Sequence, residues 1–102
     1  MAKLVVIYGK PVDADAFERH YFETHVPLAK SIPGLRALEA SRGPVITPAG
    51  PADAHLVATL AFDDMAALQT ALASDEGRRA AADLQNFASG GAQMLMFEAA
   101  TL

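Results

Sequence analysis

His55-Leu56-Val57-Ala58-Thr59-Leu60-Ala61-Phe62 reads as a β-strand that is apolar on both of its faces. Side chains alternate along a strand, so Leu56, Ala58, Leu60 and Phe62 point one way and Val57, Thr59 and Ala61 the other. A strand with one wet face would show polar residues at every second position. This one does not, and the sheet that holds it is expected to be covered twice.

The same pattern recurs at both ends of the chain. Lys3 to Tyr8 sets Leu4 and Val6 against Val5 and Ile7 before Gly9 and Pro11 end the strand. Gln93 to Ala99 sets Met94 and Met96 against Leu95 and Phe97. A weaker strand from Leu35 to Arg42 carries Arg36, Glu39 and Arg42, charges that suit a sheet edge.

Helices separate these strands. Asp13 and Asp15 open the first, with Asp15 and Glu18 at a capping-box spacing. It runs to about Ser31, with a kink near Pro27 because proline lacks the N–H that the helix needs, and Pro33-Gly34 turns the chain. Asp63-Asp64 cap a second helix with Met65, Leu68 and Leu72 on one stripe. A further helical segment spans Ser74 to Phe87, weakened at its start by Gly77, and Gly90-Gly91 breaks it. Gly43 to Pro51 holds Pro44, Pro48 and Pro51 and reads as a loop too long for a tight hairpin.

The order β-α-β-β-α-β predicts one α+β domain over residues 1–102, a ferredoxin-like four-stranded antiparallel sheet with its helices on one side. The other side then presents an apolar face of roughly 300 Å². At about 25 cal/mol per Å² its burial is worth some 7 kcal/mol, comparable with the whole stability of a small domain, about 5–15 kcal/mol. Two copies pairing face to face, as a homodimer, would bury it.

Composition narrows the function. With 52% apolar and 20% charged residues the chain is globular. Its net charge of −4 and dispersed lysines and arginines leave no basic patch for nucleic acid. It has no cysteine, which removes disulfides, thiolate metal sites and cysteine nucleophiles. Leu4-Val5-Val6-Ile7 is too short for a signal core or a membrane span. A cytoplasmic protein that binds no membrane is the expectation.

Phe17-Glu18-Arg19-His20-Tyr21-Phe22-Glu23-Thr24-His25-Val26-Pro27-Leu28-Ala29 resembles the first-helix signature of the EthD family, named for ethyl tert-butyl ether degradation. Ala82-Asp83-Leu84-Gln85-Asn86-Phe87, followed by Gly90-Gly91, resembles that family's later Asp…Asn-Phe element. The resemblance implies a dimeric α+β barrel. It also implies kinship with fold relatives that isomerise lactones, dehydrate polyketides or oxygenate phenolics without a cofactor, with a small-molecule cleft between the helices and the sheet of one protomer.

Candidate site residues follow from position. At 100° per residue Phe17, Tyr21, Thr24 and Leu28 share one helix face, with His25 on one shoulder and His20 on the other. Two readings of His25 stand. It is either a general acid/base or a ring that hydrogen-bonds a carbonyl freed by Pro27. Tyr21 is either a hydroxyl donor to substrate or a core aromatic. Tyr8, at a strand end, would orient a ligand, and Lys10 would meet an anionic group or lie in solvent. His55 faces the cleft, the dimer partner or water. Phe22, Leu28, Phe62 and Phe87 are candidates for the apolar wall. No metal site is expected, because a helical histidine pair for zinc needs a spacing of four and these are five apart. No cofactor is expected either.

The expected function is that of a small-molecule-binding protein working without a cofactor. In the catalytic form it is an isomerase, dehydratase or oxidoreductase acting on a hydrophobic ring-containing or lactone-like metabolite, with His25 moving the proton. In the non-catalytic form, a dimeric binding or accessory protein of a degradation or biosynthetic pathway holds the ligand in the same pocket.

Overall fold

The computed structural model describes residues 1–102. β1 (Ala2–Tyr8), β5 (Leu56–Phe62) and β6 (Ala92–Glu98) are the long strands, and β2 (Ala37–Ala40) is the short charged one. They form one antiparallel sheet in the order β2-β5-β1-β6, so β2 lies at an edge. In β1, Leu4 stands opposite Leu60 on one side and Met96 on the other, and Val6 opposite Ala58 and Met94. These pairs fix which residues share a face.

The helical layer comprises α1 (Ala14–His20), a π-helical turn (Tyr21–His25), α2 (Val26–Lys30), α3 (Met65–Ala73) and α4 (Asp75–Phe87). Asp13 caps α1 by accepting from the Ala16 N–H at 3.1 Å, which corrects the expected Asp15–Glu18 box. Of the two aspartates, Asp64 caps α3, accepting from the Ala67 N–H at 2.8 Å. Asp63 turns away to a two-pronged ion pair with Arg36 at the β2 entrance.

The layer covers one face of the sheet. Leu4, Val6, Tyr8, Leu56, Ala58, Leu60 and Phe62 are buried beneath it with Phe17, Tyr21, Ile32 and Leu68. Val5, Ile7 and Val57, on the other face, are only half-buried, and Leu95 and Phe97 stay 47% and 45% exposed. The helices also stop short of β6, whose Met94 and Met96 remain as open.

Two further expectations are corrected. The proline-rich segment is not a plain loop, since β3 (Ile46–Thr47) and β4 (Gly50–Pro51) pair as a small hairpin. Gly77 does not weaken the start of α4. It sits at the third helical position, where its N–H donates to the Ser74 capping hydroxyl at 3.0 Å, and a Cβ there would lie 2.2 Å from the Ala71 carbonyl oxygen.

Candidate functional site

The first helix decides the site. Ahead of Pro27 the chain widens by one residue, and the Val26 N–H donates to the Tyr21 carbonyl five residues back. This relieves the clash between the proline ring and the preceding turn, so the helix continues into α2. The wider turn also moves the buried stripe. Phe17, Tyr21, His25 and Ala29 face inward, while Thr24 is exposed and Leu28 only half-buried. The expected Phe17-Tyr21-Thr24-Leu28 face assumed a regular 100° step, which the π turn breaks.

The same turn brings His20 and His25 together, where opposite shoulders were expected. Both rings meet Asp83 of α4. The His25 Nδ1–H donates to Oδ2 at 2.9 Å, and the His20 Nε2–H to Oδ1 and Oδ2 at 2.9 and 3.0 Å. The Asn86 amide adds a bond to Oδ1 at 2.9 Å. The second reading of His25, as a cap for a freed carbonyl, gives way to this carboxylate partner.

Electrostatics assign the protons. Burial pushes the Asp83 carboxyl up, but the bonds from Asn86, His20 and His25 outweigh it and hold the group below its ordinary range. The carboxylate is an acceptor only, so each histidine donates to it. Burial lowers the His25 pKa, and the Asp83 bond and charge only partly oppose that. His25 is therefore a neutral imidazole protonated on Nδ1, with a bare Nε2.

A cavity of about 160 Å³ lies between the helices and the covered face of the sheet. Sixteen residues line it, fourteen of them hydrophobic, including Leu4, Val6, Ala58 and Leu60 below and Ile32, Ala80 and Leu84 above. His25, Tyr8 and Tyr21 supply its polar groups. Neither tyrosine hydroxyl has a protein partner, and both side chains are almost wholly buried. Burial raises Tyr21 to about 12 and Tyr8 further still, with Tyr21 and Asp83 adding to the latter. Both are neutral donors over the working pH range.

A family model for the EthD domain matches residues 9–91. The chain belongs to the EthD family. Over its full length this EthD domain is 38% identical to an uncharacterized 11.0 kDa protein of the thcB-thcC intergenic region of Rhodococcus erythropolis, 98% of which is covered. A crystal structure of an EthD family protein from Bacillus halodurans superposes with a TM-score of 0.89 at 36% identity, over 98% of this chain and 99% of that one. SnoaB, a cofactor-independent oxygenase from Streptomyces nogalater, shares the fold at 18% identity, with a TM-score of 0.70 over 99% and 94% of the two chains.

The other sequence candidates lie elsewhere in this EthD domain. Phe62 and Phe87 are buried in the core and do not line the cavity. Phe87 instead stacks on His20 at 5.0 Å between ring centres and tilts against His25 at 4.8 Å, steadying both. Phe22 is 51% exposed, and Leu28 packs on the core from outside the cavity. Lys10 and His55 line a separate hollow under the β3–β4 hairpin. Asp83 and Asn86 had a sequence signal in their three-residue spacing, but nothing pointed it at the histidines until the π turn was seen.

Proposed function

We propose that this EthD domain binds a small, largely apolar molecule bearing a carbonyl or phenolic oxygen and moves a proton on it. The single supporting observation is the Asp83-held imidazole on the wall of an apolar cavity, beside two tyrosines whose hydroxyls lack protein partners. His25 Nε2 takes a proton from carbon or oxygen of the ligand, and the Nδ1–H bond to Asp83 steadies the imidazolium that forms. The Tyr8 and Tyr21 hydroxyls donate to the oxygen on which negative charge grows. Returning the proton to another ligand atom completes an isomerisation, and delivering it to a leaving hydroxyl completes a dehydration. Deprotonation of a phenolic ligand is also the step that a cofactor-independent oxygenase needs before oxygen reacts.

The acting unit is proposed to be a homodimer that buries Val5, Ile7, Val57, Leu95 and Phe97 against a second copy. The closeness of the cavity to pure hydrocarbon favours a second reading, a carrier that holds its ligand unchanged. A native mass spectrum of gently purified protein should show a dimer with a stoichiometric small adduct. Once that adduct is identified, conversion by the wild type but not by His25→Asn supports the enzyme, and equal retention by both supports the carrier.

A further inference from the structure

A carboxylate needs only one histidine to fix a base, yet Asp83 holds two. His20 commits its Nε2–H to both oxygens of Asp83, and its ring lies flat on Phe87. Its side chain keeps 27% exposure against 9% for His25, so the nitrogen left to exchange protons with solution is His20 Nδ1. We propose that His20 is a positioning residue acting through Asp83: it holds the carboxylate on His25 and passes the charge state of its solvent-reaching ring to the cavity base. The proposal rests on the reading of His25 as that base.

The physics is a coupled titration across one shared anion. With His20 neutral, the full charge of Asp83 faces the His25 Nδ1–H and makes Nε2 more basic. With His20 an imidazolium, that charge is neutralised and a second cation would have to form on the other side of the same carboxylate. The charge of His20 accordingly lowers the His25 pKa. Asp83 of α4 is the ionised group in contact with both rings, Tyr21 of the π turn lies beside His25, and Tyr8 of β1 packs against Tyr21. Glu18 of α1 is exposed but near enough for its charge to raise the Tyr21 pKa, and Glu23 is exposed. A charge on His20 therefore makes His25 a weaker base.

The test is a titration of the full chain, ligand-free and labelled with nitrogen-15 in its histidines, following the ring-nitrogen shifts of His25. In the wild type the His25 shifts should show an early bend, from charge gained across Asp83 on His20, besides the titration of His25 itself. In His20→Gln, which keeps an N–H donor for Asp83 but cannot gain charge, the early bend should vanish. The His25 midpoint should then rise by about half a pH unit or more, roughly threefold in proton affinity. An unchanged midpoint in His20→Gln would mean that His20 is only structural and overturns the proposal. If that variant does not fold, a wild-type His25 curve without the early bend overturns it equally. No substrate enters this titration, so it can fail while the His25→Asn activity test succeeds, and the reverse.

Discussion

His25 Nδ1 lies 2.9 Å from Asp83 Oδ2 across two helices joined by the whole of β2 to α3, and this bond fixes which nitrogen of the imidazole is left free. Replacing Asp83 with Asn keeps the shape but removes the charge, and its amide N–H₂ must face one of the two histidines. One ring then has to change tautomer or lose its bond. Unfolding by urea should show Asp83→Asn destabilised by about 1–3 kcal/mol, the cost of a buried polar group without its partner. Any turnover that depends on the bare Nε2 should fall by roughly two to four orders of magnitude.

Stability should fall on acidification. His25 has a native pKa below its unfolded value of 6.5, so below that pH the unfolded chain binds the extra proton and the native state does not. Stability is complete above pH 6.5 and declines as pH drops below it. Asp83, also depressed from its unfolded value of 3.8, adds a second loss in the same direction at lower pH. Urea midpoints measured across the acid range check the sign. His25→Gln should flatten the upper part of the curve.

Gly77 should not tolerate a methyl group. A Cβ would meet the Ala71 oxygen at 2.2 Å and the Leu72 Cα at 2.9 Å, both backbone atoms that cannot swing aside. Gly77→Ala forces α3 and α4 apart and should cost about 1–3 kcal/mol, despite the better helix propensity of alanine. A drop in thermal midpoint checks it.

How far these features were legible depended on whether local pattern or register carried them. The two-sided apolar strands, the edge charge of β2 and the Asp64 cap follow from spacing alone and stand in the structure as read. The break near Pro27 was equally visible, but its form was not. A proline can end a helix or follow a widened turn, and here the widened turn sets His20 and His25 on one carboxylate. Once the turn widens, an angular count from Phe17 fails after Tyr21, which is why Thr24 is exposed and Leu28 only half-buried where an inward face is expected. Lys10 and His55 line a different hollow from His25 for another reason. A strand end borders two hollows, and which one a residue enters depends on where the β3–β4 hairpin folds back.

The uncovered sheet face should hold two copies together. Leu95 is half-exposed in the protomer and pairs with Val5 near the middle of that face. Leu95→Asp removes little from the protomer's own core but would place a charge in the proposed interface. Sedimentation velocity at micromolar concentration should show the wild type as a dimer and the variant as a monomer, with unchanged secondary structure by circular dichroism. A wild-type monomer would leave the exposed face without this explanation.

Filling the cavity separates binding from folding. Ala58 lies on β5 at its floor and is 2% exposed, so its methyl points into the space that a ligand would use. In Ala58→Leu an isobutyl group takes that space. At about 0.8 kcal/mol per buried methylene, a well-seated leucine should raise stability by up to about 2 kcal/mol. A space kept open for a ligand is a site where stability and function oppose each other. The variant should therefore melt no lower than the wild type yet lose the adduct in its native mass spectrum. If the adduct survives with the same mass and stoichiometry, the ligand lies outside this cavity, and His25 and the two tyrosines lose their assigned roles with it.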